Sequence, residues 1–326
     1  MPEDWSGAPV LLPPDLAVNL AAPDIRRWLP GNCGVPGVWS FAAEAPGPHA
    51  AIVGIVHGNE IAGAILLDRW LSAGIRPVRG RLTFIFANCD AFHRFDPADP
   101  TASRFLEDDL NRVWDPALLD GSRRSAELRR ARALRPVVDT VDALLDLHSM
   151  LWPSDPVMLG GRTEKGGRLG LAIGVPELVV LDEGHASGER LVDYAAFSDP
   201  ASPRAAVLAE AGPHWEARTV EVMERTAARL LRHLRMAPPE LLRVAEKAAV
   251  PPRLARVTRT VTAMTDDFAF VREFHGGEVM AERNTLIALD GTAEIRTPHP
   301  DCLLVMPTPR PPAGHTAVRL ARFDGG

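Results

Sequence analysis

Over the first two thirds of the chain, continuous apolar runs alternate with segments whose apolar positions recur at helical spacing. Ala51-Ile-Val-Gly-Ile-Val56 is apolar throughout and rich in β-branched residues, which predicts a strand buried on both faces. Arg81–Ala87, Val141–Leu147, Leu178–Asp182 and Ala205–Ala209 predict further core strands, with another at Val38–Ala42. Helical spacing covers Ile61–Leu71, closed by Gly74 and Pro77, then Arg123–Val138, then Thr219–Leu234 with Arg-rich outer positions. This alternation predicts an α/β fold with a mainly parallel mixed sheet flanked by helices.

After Met236 the texture changes. Ala237-Pro238-Pro239 and Pro251-Pro252 bracket a linker. Beyond it, Leu254–Ala263, Phe268–Phe274, Thr285–Leu289, Ala293–Arg296, Leu303–Met306 and Ala317–Arg322 are short β-like stretches separated by turn residues such as Gly276-Gly277 and Asp290-Gly291. The expected organisation is a main domain of residues 1–238 followed by a linker and a small antiparallel β domain over 239–326.

Composition narrows the classes. An apolar fraction of 46% and a charged fraction of 24% suit a soluble globular protein. A formal net charge of -6 argues against nucleic acid as the main partner. Cys33, Cys89 and Cys302 lie far apart with no CxxC pair, as expected in a reducing compartment. The acidic Met1-Pro-Glu-Asp-Trp5 lacks a signal segment, and no apolar run approaches the roughly 18–20 residues that cross a bilayer. A cytoplasmic protein without a membrane partner is expected; a homo-oligomer is left open.

Four short motifs then carry the chemistry. His57-Gly58-Asn59-Glu60 follows the Ala51–Val56 strand at its carboxyl end, where open α/β sheets place their sites. The spacing of three brings the imidazole and the carboxylate to one side of the turn, and Gly58 permits a sharp bend. His148 ends another buried strand and supplies a third ligand, leaving a fourth position open for water, as a catalytic zinc site requires. Asp146, two residues earlier, faces the same way and can brace that imidazole. In the long polar segment 101–114, Arg112 and Asn111 are candidates to hold a substrate carboxylate, and Arg104 to polarise a scissile carbonyl. Glu210, followed by Ala211-Gly212-Pro213, is a candidate general base. His93, His185, His275, His299 and His315 lack ligand spacing, His214 is a candidate to line the pocket because it lies near Glu210 in sequence, and Glu164-Lys165 reads as solvated loop charge. HExxH and GxSxG are absent, which excludes thermolysin-like proteases and serine hydrolases.

In this order the motifs resemble those of the succinylglutamate desuccinylase/aspartoacylase family, a branch of the zinc carboxypeptidase-like enzymes. The resemblance rests on His57-Gly-Asn-Glu60, Arg104 ahead of Asp109-Leu-Asn111-Arg112, Asp146-Leu-His148 and Glu210-Ala-Gly-Pro213. It implies one Zn2+ per chain on His57, Glu60 and His148. It also implies a carboxylate clamp of Asn111 and Arg112, with Arg104 as carbonyl polariser and Glu210 as general base or acid. The implied reaction hydrolyses a small-molecule N-acyl amino acid to a carboxylate and a free amine. The chain departs from the family in having a single tyrosine, Tyr194, and in offering Arg204 only near the family's further substrate arginine. The rival readings are a carboxypeptidase-like metallopeptidase and a metal-binding regulatory protein without turnover.

Overall fold

The computed structural model describes residues 17–185, 187–246 and 250–325, so the acidic N-terminal stretch read for a signal lies outside it. Its strands are β1 (Val38–Ala42), β2 (His49–Gly54), β3 (Arg81–Phe86), β4 (Ala143–Met150), β5 (Val157–Leu159), β6 (Leu178–Leu181) and β7 (Ala205–Pro213). They continue as β8 (Arg253–Thr262), β9 (Ala269–Phe270), β10 (Val279–Met280), β11 (Leu286–Asp290), β12 (Ala293–Arg296), β13 (Cys302–Val305) and β14 (Thr316–Phe323). The helices are α1 (Ile61–Ser72), α2 (Cys89–Phe92), α3 (Pro116–Asp120), α4 (Ala126–Val138), α5 (Glu164–Ile173), α6 (Ala217–His233) and α7 (Pro239–Leu242).

Among the described residues one eleven-stranded mixed sheet runs in the order β1-β3-β2-β4-β7-β5-β6-β8-β14-β13-β10. Its centre is parallel, β3-β2-β4-β7, while β1 and the β8-β14-β13-β10 end are antiparallel. Because β8 pairs in parallel with β6, hydrogen bonding continues from the central strands into the C-terminal β region. A separate three-stranded sheet, β12-β11-β9, shares an apolar cluster with the end of the large sheet, Phe268, Phe274 and Ile287 meeting Leu304 of β13 and Val318 of β14.

Period-2 alternation explains the central strands. Ile52, Leu145, Val207 and Ala209 face the side covered by α1, α5 and α6, while Val53, Leu144 and Leu208 face the side covered by α4. With both faces buried, these strands must be apolar throughout, as their sequences are. Ser125 caps α4 by accepting from Leu128 N at 3.1 Å, which sets its start after Arg123 and Arg124. No helix among the described residues is long and apolar enough to cross a membrane.

Two elements depart from the sequence expectation. Glu164–Ile173 forms α5 although its three glycines weaken helix propensity. A Cβ on Gly166 would lie 1.9 Å from Gly160 O, so close packing on the strand layer requires that glycine. Lys165 is correspondingly not a solvated loop charge: it is buried, and its ammonium donates to Ala196 O, Asp199 O and Ser202 O. The second departure concerns strand ends. β4 and β7 run on to Met150 and Pro213, so His148 and Glu210 stand within paired strands.

Candidate active site

The β2 strand ends in a turn whose geometry is set by close packing. Ile55 carries a positive φ of 53°, costly for a β-branched residue, and Glu60 N donates to His57 O at 3.1 Å. Gly58 is needed here for contact, its φ being outside the left-handed region: a Cβ would lie 2.4 Å from Ser103 O. That contact docks the long polar loop onto the turn, and Gly58 N donates to Arg104 O at 3.0 Å. The loop is also held from α4, where the buried Glu127 carboxylate accepts from the backbone N–H of Leu106, Glu107 and Asp108.

This scaffold brings together His57, Glu60 and His148, each 2–3% exposed. His57 Nδ1 lies 2.7 Å from Glu60 Oε1, and His148 Nδ1 lies 3.2 Å from Glu60 Oε2. One ligand atom from each of the three residues lies within 4.8 Å of the other two. The opposite ring nitrogens meet other carboxylates: His57 Nε2 is 2.9 Å from Asp109 Oδ1, and His148 Nε2 is 2.9 Å from Asp146 Oδ2. A carboxylate at Nε2 favours the tautomer that keeps its proton there and turns the Nδ1 lone pair inward. Without a cation the Glu60 carboxylate takes hydrogen bonds or ion pairs from these imidazoles; with their Nδ1 protons gone, two lone pairs and a carboxylate converge, a donor set that fits a divalent metal. The titration of Glu60 and His148 reflects their mutual contact. Burial alone pushes the Glu60 carboxyl up, yet the two imidazoles hold it well below the usual carboxylate range. Burial pushes His148 down, but Asp146 and Glu60 outweigh it and hold the imidazole well above its ordinary value.

Glu210 is the direct register partner of His148 across β4 and β7. Its Oε2 is fully enclosed and unpartnered. Burial pushes its carboxyl up to about 8; His148 and Arg104 pull it down, and Glu60 and Asp146 push it further up. Arg104 Nη2 lies 3.0 Å from His57 Nε2 and Arg104 Nη1 lies 3.5 Å from Glu60 Oε1, which puts the guanidinium beside the same cluster.

Asn111 and Arg112 lie in a short 3-10 turn capped by Asp109, whose Oδ1 accepts from Asn111 N at 2.7 Å. Asn111 Oδ1 accepts from Leu191 N at 2.9 Å, leaving the amide N–H2 free to donate elsewhere. Arg112 is half-buried; its Nε donates to Ser187 Oγ at 3.2 Å, and no described carboxylate lies within 4 Å of its guanidinium. His185 packs into this charge cluster: burial first, then Arg112, Arg319 and Arg190, push its imidazole down to about 3.

Several of these residues had no role assigned from the sequence. Asp109 was visible only as part of a motif. Ser149 N donates to Glu60 Oε2 at 2.9 Å, and Ser149 Oγ lies 2.6 Å from His214 Nδ1, which puts His214 at the border of the site, where its place in the sequence near Glu210 suggested it. Arg190 and Arg319 come from a loop and from β14; the available signal was a lone arginine in the apolar run Ala317-Val-Arg-Leu-Ala321. Tyr194 and Arg204 go elsewhere. The Tyr194 hydroxyl donates to Asp139 Oδ1 at 2.8 Å, and Arg204 donates to Asp139 O, near the amino-terminal start of β7.

Comparison with known proteins agrees with this geometry. Residues 46–234 match the sequence model of the succinylglutamate desuccinylase/aspartoacylase catalytic domain. The chain is 30% identical over 108 residues to aspartoacylase of Danio rerio, covering 30% of this chain and 33% of that protein. It is 31% identical over 119 residues to aspartoacylase of Rattus norvegicus, covering 34% of this chain and 36% of that protein. These matched segments span about a third of either relative. Its fold resembles a solved succinylglutamate desuccinylase from Vibrio cholerae, with a TM-score of 0.63, 22% identity, and 88% of this chain and 85% of that one covered. A succinylglutamate desuccinylase from Vibrio parahaemolyticus gives 0.62 and 20%, with 88% and 86% covered. With its catalytic-domain match spanning more than half its length, the chain belongs to the succinylglutamate desuccinylase/aspartoacylase family.

Proposed function

We propose that this chain is a zinc-dependent deacylase that hydrolyses the amide bond of a small N-acylated amino acid. The observation that carries the reading is the facing of two imidazole Nδ1 atoms and the Glu60 carboxylate, with the unpartnered Glu210 carboxyl in register beside His148.

His57, Glu60 and His148 are the ligands in this reading, and a zinc ion held there supplies Lewis acidity and lowers the pKa of water to roughly 7. Glu210 takes a proton from the attacking water and delivers it to the leaving nitrogen; its raised proton affinity suits both halves of that transfer. A divalent charge nearby lowers that affinity and readies the carboxylate as a base. Arg104 polarises the carbonyl and stabilises the oxyanion. Arg112, with no carboxylate of its own, binds the substrate carboxylate in a planar two-pronged contact, and Asn111 donates its amide beside it. Asp109 and Asp146 orient the two imidazoles. Residues 1–238 form the catalytic unit, and 239–326 the linker and β unit. A reducing, cytoplasmic setting is supported by the free Cys33, Cys89 and Cys302.

A panel of N-acyl amino acids assayed with metal-loaded and chelator-stripped protein tests the reading. Release of free amine should need the metal, with about one zinc per chain by elemental analysis. Full activity after the metal is gone would remove it.

A further inference from the structure

The chain turns a corner just after β7, and the two residues in that corner, His214 and Trp215, reach both segments that carry the proposed ligands. From His148 to Met150 β4 advances two residues, while its partner β7 advances three, from Glu210 to Pro213, so β7 bulges between the two pairs. His214 closes the bulge, its backbone N–H donating to Met150 O at 2.7 Å. Its buried ring turns onto β4, with Nδ1 2.6 Å from Ser149 Oγ. Ser149 adjoins His148, and its own N–H donates to Glu60 Oε2 at 2.9 Å.

Trp215 holds the other segment. Its indole Nε1 donates to Asn59 O at 2.8 Å, within the turn that carries His57 and Glu60. Trp215 has a positive φ of 61°, a conformation that a bulky residue keeps only where its surroundings impose it. Here the indole lies against the His214 ring, with centroids 5.1 Å apart, and against Phe95 at 6.2 Å. Neither side-chain bond belongs to the β ladder. Each ends on a residue adjoining a proposed ligand, Ser149 beside His148 and Asn59 beside Glu60.

We propose that His214 and Trp215 are positioning residues: from one corner they fix the turn after β2 against the end of β4, so that the donors of His57, Glu60 and His148 converge before an ion arrives. This rests on the metal site of the deacylase reading. Because the corner continues directly from the strand that carries Glu210, it sets that carboxyl against the same three donors.

Zinc affinity of the full chain, measured by competition with a chromophoric chelator, reads this role without reference to turnover. His214→Ala and Ser149→Ala should each weaken zinc binding by about ten- to a hundredfold, although neither residue is a ligand. Trp215→Phe keeps a ring in place but loses the indole N–H, and should weaken binding by about three- to tenfold. His214→Ala combined with Ser149→Ala should cost little beyond either alone, because both remove one shared hydrogen bond. The side-chain amide of His214→Asn reaches the place of Nδ1, and this variant should recover affinity to within about threefold of wild type. That of His214→Gln reaches the place of Nε2 and should not. With Co2+ in place of zinc, the visible absorption bands should shift in His214→Ala and return in His214→Asn, a signature that a general loss of stability does not produce.

Affinities within about twofold of wild type in all three single variants would overturn the proposal. So would recovery by His214→Gln in place of His214→Asn, which would move the role of His214 to Nε2. Should His214→Ala fail to fold, Ser149→Ala and Trp215→Phe decide the question alone. A wild type that binds zinc yet hydrolyses no N-acyl amino acid removes the deacylase reading only, and the variant affinities still decide the role of the corner. A wild type that takes up no divalent ion overturns the metal site and this proposal together.

Discussion

Around His57 and His148 the anionic and lone-pair groups outnumber the cations, whereas around Arg190 and Arg319 the charges come close to balance but the hydrogen bonds do not. In the first cluster Glu60, Asp109 and Asp146 crowd two imidazoles, and Arg104, at 3.5 Å from Glu60 and from Asp109, is the one guanidinium within 4 Å among the described residues. In the second, Arg190 spends its three arms on Asp182 and Asp193, while Asp193 Oδ1 and Arg319 Nε are enclosed without a hydrogen-bond partner. In the scaffold cluster every arm of Arg190 finds a carboxylate oxygen. In the proposed reading, the cluster short of cations receives a divalent one.

The most severe way to break that contrast is to remove one metal donor. His148→Ala should lose bound zinc and reduce turnover by about three orders of magnitude or more, with the lost metal seen by elemental analysis. Retained stoichiometry at full occupancy would mean the three residues are not a ligand set. Glu210→Gln should separate metal from chemistry: zinc stays, and kcat falls by about two orders of magnitude. An unchanged rate in that variant would show that Glu210 neither takes nor delivers the proton.

The closed cluster makes a different prediction, one of stability. Burial pushes the Asp182 carboxyl up, but Arg190, its hydrogen bonds and Arg319 overcome this and leave it below its ordinary value. A depressed folded-state pKa contributes stability above the unfolded value and loses it as pH falls through the folded one. Asp182→Asn should therefore cost about 3 kcal/mol at neutral pH in denaturant unfolding, by leaving Arg190 half-paired. The gap to wild type should be full above about pH 4 and shrink under more acidic conditions. A constant gap down through that range would mean the loss comes from packing instead of charge.

How far the sequence reaches follows the same division. The central strands were legible because burial on both faces forces continuous apolar runs, as at Ile52–Val53 and Leu144–Leu145. That His57, Glu60 and His148 come together was legible because they stand in short motifs that follow or end buried strands. Glu210 came with them, and the structure brings it into register with His148. The helix α5 was not legible, because its glycines answer to a neighbouring layer that no local pattern records. Nor was the burial of Arg319: Asp182 and Glu210, whose charges reach it, lie more than a hundred residues away, and only the strand order makes them neighbours. His185 was read as ordinary because its position among three arginines is a property of the folded loop alone.

Smaller effects sharpen the contrast between site and scaffold. Arg112→Ala should raise KM about tenfold for substrates with a free carboxylate and leave neutral amides unaffected; equal effects on both would remove the clamp. The weakest effect is expected from Arg204→Ala. Arg204 precedes β7, whereas Glu210 stands six residues along it, and at about 3.3 Å per residue that separates their backbones by roughly 20 Å. Its guanidinium is committed to Asp139 O, the residue that also receives the Tyr194 hydroxyl. Substitution should leave kcat/KM within about twofold of wild type for every substrate and lower stability by about 1 kcal/mol or less. A selective loss on acidic substrates would show that Arg204 reaches the substrate.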